Sequence, residues 1–266
     1  MKKNNYCVNN HTFVICAYKE CRYLEECIES LEHQSRKSRI LIATSTPNDF
    51  ILGLAEKHGI PVNINTGESG IAGDWNFGLH CADTALITIA HQDDIYKPNY
   101  TEKMLQAMNR AEDPLLFFCS SNEILNGEET SKSRLVRIKK AMCLPLRIFP
   151  KSRGVRRRVL SLGNPIPCPG VTYVRDVIRE HPYDSAMKSN LDWAKWEELS
   201  GLEGSFVYEP SALMCHRIHP EAETTRIVRD HARTAEDYAM FRKFWPEPVA
   251  RLIARVYAAG EEEYRQ

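Results

Sequence analysis

Two adjacent carboxylates, Asp93 and Asp94, follow a short apolar stretch at residues 85–90 that is interrupted only by Thr88. A run this short and apolar predicts a buried β-strand. Ligands of open α/β sheets bind at the carboxyl ends of the strands, so we expect both acids at a binding edge. Neighbouring carboxylates there could hold a divalent metal that carries a phosphate. In the alternative interpretation, Asp94 caps the next turn and Asp93 is solvated.

Two more groups could do chemistry later in the chain. His216 and His219 could bind zinc, but no third ligand follows at a useful spacing, and histidines of this kind are often packed or surface residues. Asp192 is a further acid, and it lies three residues after Ser189, which fits a helix-capping arrangement.

Alternating elements must position these residues. Strands are predicted at residues 12–17, 39–44, 60–65 and 85–90, with helices between them. Four such alternations predict an α/β fold with a mostly parallel central sheet and helices on both faces. Beyond residue 98 the pattern changes to helices at 100–110, 189–200, 224–244 and 249–259 and strands at 115–120, 171–174 and 205–215. Residues 130–160 contain two prolines and no clean periodicity.

Several classes of protein are excluded or disfavoured. The chain has no G-x-G-x-x-G fingerprint, P-loop lysine or G-x-S-x-G elbow, which argues against dehydrogenases, kinases and serine hydrolases. Nine scattered cysteines without a C-x-x-C pair favour a reducing compartment. Residues 1–17 lack the apolar core of a signal peptide, and no stretch reaches the length of a membrane span. We therefore expect a cytoplasmic protein.

A basic segment stands out against a balanced total of 35 basic and 35 acidic residues. From Thr130 to Arg175 there are 12 Lys or Arg and no Asp or Glu. The segment could be a solvated surface, a peripheral contact of residues 130–160 with the inner face of a membrane, or a site for a phosphorylated acceptor. No nucleic acid partner is expected, because Phe149 is almost the only aromatic residue there.

Five stretches, in order, resemble the family-2 glycosyltransferases of the GT-A fold. They are residues 12–34 (TFVICAYKECRYLEECIESLEHQ), 70–79 (GIAGDWNFGL), 91–94 (HQDD), 191–193 (LDW) and 216–220 (HRIHP). The resemblance implies a GT-A-like domain over residues 1–225, with a nucleotide-binding half at about 10–98 and an acceptor half at 99–225. Residues 226–266 would form a helical extension packed on it.

The resemblance also implies roles for individual residues. Asp192 would be the catalytic base, and the metal ligands would be Asp93, His91 and His216. The family's metal motif usually begins with Asp, and here that position is His91. Residues implied in binding the nucleotide sugar are Tyr18, Glu20, Asp74, Asn76, Gln92, Arg217 and His219.

The leading hypothesis is therefore transfer of a sugar from a nucleotide-diphosphate donor to a glycan or lipid-linked acceptor, in polysaccharide biosynthesis. Mn²⁺ or Mg²⁺ would stabilise the leaving diphosphate. One alternative is a catalytically weak nucleotide- or glycan-binding module, and another is a metal-dependent phosphoesterase or nucleotidyltransferase that uses Asp93 and Asp94. An apolar stripe on the last predicted helix, at Val249, Leu252, Ile253 and Val256, favours internal packing and leaves a homodimer open.

Overall fold

One mixed β-sheet organises the protein, which is described by a computed structural model over residues 4–219 and 232–263. The strands are β1 His11–Cys16, β2 Arg39–Thr44, β3 Val62–Ile64, β4 Leu86–His91, β5 Ile95–Tyr96, β6 Pro114–Leu125, β7 Glu128–Thr130, β8 Val171–Val174 and β9 Ser205–Ile218. Their order is β3-β2-β1-β4-β8-β6-β9-β5, with β7 paired to β6.

The sheet changes character at β4. The first four strands in sheet order, β3 to β4, are all parallel, as the alternation of strands and helices predicts. Beyond them β8 is antiparallel to both β4 and β6, β6 and β9 are parallel, and β5 is antiparallel to β9. The carboxyl ends of β1, β2 and β4 therefore lie along one edge. Strand β9 runs in the same direction as β4, and β5, which follows β4, pairs with the last part of β9, so the carboxyl end of β9 lies at the same edge.

Helices cover both faces of this sheet, which confirms the predicted α/β class. The helices are α1 Leu24–Glu32, α2 Asp49–His58, α3 Ile71–Cys81, α4 Tyr100–Arg110, α5 Arg134–Ile148, α6 Arg153–Leu160, α7 Arg175–Glu180, α8 Leu191–Ser200, α9 Ala232–Arg242 and α10 Glu247–Glu263. Two separate buried apolar clusters result among the residues that the structure describes. One packs α1, α2 and α4 against the sheet, and the other packs α3, α5, α6 and α8 to α10.

The basic segment contains two helices, α5 and α6, which sequence periodicity did not predict. Each begins after a serine whose side chain accepts a backbone N–H, from Val136 to Ser133 and from Val155 to Ser152. Serine is a favoured N-cap because it satisfies one of the donors that the first helical turn leaves unpaired. Pro145 lies inside α5 and interrupts its hydrogen-bond ladder.

The C-terminal helices pack on the same core as α8. Phe241 of α9 makes an edge-to-face contact with Trp193 of α8, and Ala250 and Ala254 of α10 are buried in the same cluster. The predicted boundary at residue 225 and the first part, residues 224–231, of the helix predicted over 224–244 lie outside the described residues, so the two-part domain division stays a prediction.

Helix α10 packs on the core through Ala250 and Ala254, which are buried. Of the four residues of the predicted stripe, Ile253 packs against the same core, whereas Val249, Leu252 and Val256 are 40%, 63% and 67% exposed. None of the helices in the described part of the chain combines the length and hydrophobicity that crossing a bilayer requires.

Candidate functional site

The candidate site lies at the carboxyl end of β4, where a tight turn joins β4 to β5. The backbone N–H of Asp94 donates to the carbonyl oxygen of His91 at 3.2 Å, which closes the turn. His91, Asp93 and Asp94 each offer one ligand atom, and these three atoms lie within 4.8 Å of one another. Asp94 is fully buried, whereas the side chains of His91 and Asp93 are 23% and 19% exposed. His91 and Asp93 are therefore the accessible donors, with Asp94 behind them.

The end of β9 supplies the partners of both carboxylates. Oδ1 of Asp94 accepts the backbone N–H of Arg217 at 2.8 Å and lies 3.1 Å from Nδ1 of His216. Oδ2 of Asp93 lies 3.0 Å from Nε2 of His219. The pairing of β5 with β9 creates these contacts, because it brings the residues that follow β4 next to the carboxyl end of β9. The predicted acidic and basic motifs therefore meet at one place.

Arg217 is held by protein groups on several sides. Its Nε donates to the carbonyl oxygen of Asp93 at 2.9 Å, and its guanidinium pairs with Glu26 of α1. The guanidinium also lies 4.2 Å from the centre of the Tyr23 ring. These contacts fix the end of β9 against α1 and leave the side chain only 8% exposed.

The histidines and acids shift one another's protonation. Burial opposes a charge on His216, but the carboxylate of Asp94, which also bonds the ring, and that of Asp93 raise the pKa of His216 to about 9. Burial acts to raise the pKa of Asp93, but the hydrogen bond with His219 and the charges of His91 and His216 bring it below its ordinary value. At neutral pH the site therefore holds an ionised Asp93 and a protonated His216.

The donor set fits a divalent cation. Nε2 of His91 is buried and has no hydrogen-bond partner among the residues that the structure describes. A buried nitrogen in this state costs on the order of 1–3 kcal/mol, which a metal bond would offset. One nitrogen of the His91 ring lies within 4.8 Å of the ionised Asp93 carboxylate, and imidazole with carboxylate is a common ligand combination for divalent transition metals.

The loop after β1 is fastened beside this turn. The side-chain amide of Gln92 accepts the backbone N–H of Tyr18 at 2.9 Å and donates to its carbonyl oxygen at 3.1 Å. Lys19 has a positive φ of 54° and donates its backbone N–H to Oγ1 of Thr46 at 2.6 Å. The loop is therefore pinned to the ends of β4 and β2, and it leaves the Tyr18 ring 41% exposed and Glu20 exposed.

Asp74 and Asn76, both predicted to bind the donor, make hydrogen bonds that join α3 to neighbouring strands and loops. Asp74, in the first turn of α3, accepts the amide of Asn65 and the hydroxyl of Ser45, both at 2.9 Å. Asn76 donates to the carbonyl of Tyr183 at 2.9 Å and accepts its N–H at 2.8 Å. The first residue joins the ends of β2 and β3 to α3, and the second joins α3 to the loop before α8.

Trp75 and Tyr183 belong to the site although sequence reasoning assigned them no role there. The Trp75 ring lies 5.3 Å from that of His91 at an interplanar angle of 30°, and Tyr183 packs on it edge-on at 5.0 Å. The available signal was the position of Trp75, which stands between Asp74 and Asn76 in the stretch that resembles the family.

Asp192 lies at the start of α8 and is oriented by two hydrogen bonds. Its Oδ2 accepts the side-chain amide of Asn164, and its Oδ1 accepts the backbone N–H of Trp193, both at 2.7 Å. Burial raises the pKa of the Cys168 thiol, and the charges of Asp192 and Asp94 raise it further.

The predicted capping arrangement of Ser189 with Asp192 is wrong, because a carboxylate from α9 replaces it. Glu236 accepts the backbone N–H groups of Lys188, Ser189 and Asn190 at 2.8–2.9 Å, and also the Ser189 hydroxyl at 2.6 Å. Next to it, the buried Asp237 accepts the side-chain amide of Asn190 at 2.7 Å. Two acids of α9 therefore hold the segment that leads into α8.

A family model agrees with the order of these elements. The model described as glycosyl transferase family 2 matches residues 12–179, which include the strands β1 to β4 and the turn with His91, Asp93 and Asp94. No curated protein sequence matches the chain.

Solved structures share the fold at low sequence identity. TarS 1–349 of S. aureus in complex with UDP-GlcNAc has a TM-score of 0.62 at 12% identity, with 92% of this chain and 70% of that chain covered. The mannosyltransferase PcManGT of Pyrobaculum calidifontis, with GDP-Man and Mn²⁺, has 0.60 at 14%, covering 95% and 70%. Glucosyl-3-phosphoglycerate synthase of Mycobacterium tuberculosis has 0.58 at 13%, covering 89% and 80%. The chain spans 42% of the longer TarS structure.

Proposed function

The chain belongs to glycosyl transferase family 2, and on that premise we propose that it moves a sugar from a nucleotide-diphosphate donor to a hydroxyl of a glycan or lipid-linked acceptor. The observation that carries the proposal is the ionised Asp93 beside His91 at the carboxyl end of β4. Two neighbours of the same fold support the donor class, since TarS was solved with UDP-GlcNAc and PcManGT with GDP-Man and Mn²⁺.

His91 and Asp93 are the residues that would hold the divalent cation. When bound, the cation would neutralise charge that builds on the leaving diphosphate. An imidazole ligand favours Mn²⁺ over Mg²⁺, which prefers an all-oxygen shell. His216, also predicted as a ligand, points Nδ1 at Asp94 and contributes the positive charge of a protonated imidazole close to the two acids.

The rest of the donor would lie along the same edge of the sheet. We assign the exposed ring of Tyr18 and the carboxylate of Glu20 to the base and ribose, and His219, with Arg217 behind it, to the diphosphate. Positive groups fixed before the reaction stabilise the leaving group without reorganising. Gln92, like Asp74 and Asn76, would act by holding these segments in place.

Asp192 is the proposed general base that takes the proton of the acceptor hydroxyl. Hydrogen bonds from Asn164 and from the Trp193 N–H hold its carboxylate in one orientation, and a base must be held within hydrogen-bond reach of its proton. The nine cysteines all lie in the described part of the chain as free thiols, which supports the proposed cytoplasmic location.

The test of this function is Asp192→Asn, measured in both donor binding and turnover. The variant should bind the nucleotide sugar as the wild type does and lose about 10²–10⁴-fold in turnover, the usual contribution of a general base. Asp176→Asn, at an exposed acid on α7, is the matched control and should change neither quantity. Turnover retained in Asp192→Asn would assign the base to another residue.

A further inference from the structure

The outer face of α5 exposes an unusual apolar row. Ile138, Ala141, Leu144 and Ile148 follow one another at three or four residues, so they lie along one side of the helix. The side chains of Ile138, Leu144 and Ile148 are 45%, 46% and 69% exposed, and Phe149, just after the helix, is 55% exposed. The opposite side of α5 is already packed, with Cys143 and Leu146 buried in the core. The row is therefore not the side that anchors α5 to the protein.

Positive charge surrounds this row. Residues 131–152 contain seven Lys or Arg and no Asp or Glu. Arg137, Lys140 and Arg147 are exposed. At 100° per residue, Arg137 lies on the same side of α5 as the apolar row, and Lys140 and Arg147 flank it. The helix is 15 residues long, about 22 Å. An apolar centre within basic residues is the pattern of helices that lie in the interface of a bilayer.

The row lies close to the candidate site. Helix α5 packs against β9, the strand that carries His216 and Arg217. A surface that contacts the outer side of α5 would therefore also lie next to the strand that carries part of the candidate site.

We propose that the outer face of α5 with Phe149 docks on an anionic lipid bilayer. Ile148 and Phe149 insert between headgroups, while Arg137, Lys140 and Arg147 contact lipid phosphates. Because α5 packs against β9, which carries part of the candidate site, the sugar acceptor is membrane-borne. That last consequence rests on the proposed function, whereas the docking itself does not.

Two other occupants fit the face less well. A second copy related by a twofold axis would oppose the same basic residues to each other, and like charges across an interface are unfavourable. A soluble polyanion would satisfy the charges but leave the aliphatic side chains without a partner, and stacking on nucleic acid bases needs more aromatic residues than Phe149. A bilayer interface accepts both components at once.

Co-sedimentation of the full chain with vesicles tests the proposal, without metal or nucleotide. We expect binding to phosphatidylcholine vesicles that contain phosphatidylglycerol, and little binding to phosphatidylcholine alone. Arg137→Gln with Arg147→Gln should weaken binding about 25-fold, at about fivefold for each basic residue. Ile148→Ser should weaken it about tenfold through lost apolar burial. The unfolding midpoint of each variant, measured by circular dichroism, shows that it is folded.

Matched controls lie elsewhere on the surface. Arg36→Gln with Lys37→Gln removes two exposed charges from the loop after α1, and Leu252→Ser removes an apolar side chain that is 63% exposed on α10. Both controls should bind vesicles as the wild type does. The proposal is overturned if anionic vesicles do not retain the chain, if the controls lose binding equally, or if a soluble polyanion binds as tightly as the vesicles. Donor binding, measured separately by calorimetry, tells failure of the docking apart from failure of the proposed function.

Discussion

Glu236 allows a sharp test of how the start of α8 is held, through Glu236→Gln. The glutamate receives four hydrogen bonds from residues 188–190, three of them at Oε2 and one, from Lys188, at Oε1. An amide of the same shape can present only one acceptor oxygen. If the glutamine places its oxygen where Oε2 of Glu236 was, it keeps three acceptor contacts. Its NH₂ group then occupies the position of Oε1 and faces the N–H of Lys188. The variant therefore loses one bond and the charge assistance of the other three.

The expected cost follows from these contacts. A hydrogen bond to a charged group contributes about 1.5–3 kcal/mol, roughly twice a neutral one, so we expect the variant to lose about 2–3 kcal/mol of unfolding free energy. The same change loosens the segment that leads to Asp192. A displacement of about 1 Å in a catalytic group can cost about 10²-fold in rate, so turnover should fall by up to that amount while donor affinity is retained.

Urea unfolding and steady-state kinetics on the same preparations provide the assay. Glu247→Gln is the matched control, because Glu247 is an exposed acid that pairs with Arg251 within α10, and it should cost less than about 0.5 kcal/mol. We call the hold of Glu236 on residues 188–190 the clamp. Equal stability of Glu236→Gln and wild type would refute it. A loss of stability with unchanged turnover would keep the clamp and show that it does not position Asp192.

Two further predictions concern residues of the strands and helices that support the site. Burial lowers the pKa of His11 to about 3, so this imidazole, bonded to Ser38 and Thr88, stays neutral in the folded protein while the unfolded chain protonates below about pH 6.5. Its contribution is therefore lost as pH falls, and wild type should lose about 2 kcal/mol more than His11→Gln between pH 7 and pH 5 in urea unfolding; equal losses would contradict the assignment. Gly78→Ala should destabilise by about 1–3 kcal/mol, because its Cβ would lie 2.8 Å from Cγ1 of Val14. Gly53→Ala on α2, with no atom within 4 Å of the new Cβ, should instead stabilise by up to about 1 kcal/mol, and thermal melts that rank the two alike would refute the packing argument.

The sequence predicts the parts of the fold that depend on the residues next to one another in the chain. The apolar runs of β1, β2 and β4 are short and bounded, and Gly59 ends α2 with a φ of 65°, so their positions follow from neighbouring residues. Helices α5 and α6 were not predicted by the same reasoning. Pro145 and a high density of Lys and Arg hide the helical period of residues 134–160, although the caps at Ser133 and Ser152 were visible in the sequence.

The chemistry of the site was predictable only in its components. The resemblance ordered the acidic and basic motifs, but it could not pair them. His219 meets Asp93 across 126 positions and Arg217 meets Glu26 across 191, and both contacts exist because β5 and β9 are neighbours. The clamp of Glu236 on the segment before α8 likewise depends on how α9 docks. Such contacts are tertiary, and no local pattern encodes them.

The central claim is that Asp93 holds a divalent cation that binds the diphosphate of a nucleotide. Calorimetric titration of UDP and GDP with and without Mn²⁺ measures it directly, on wild type, Asp93→Asn and the exposed control Asp83→Asn. We predict Mn²⁺-dependent binding of at least one nucleotide by wild type and the control, and a loss of about 100-fold or more in Asp93→Asn. Nucleotide binding by Asp93→Asn at wild-type affinity, or the absence of binding in all three proteins, would contradict the claim.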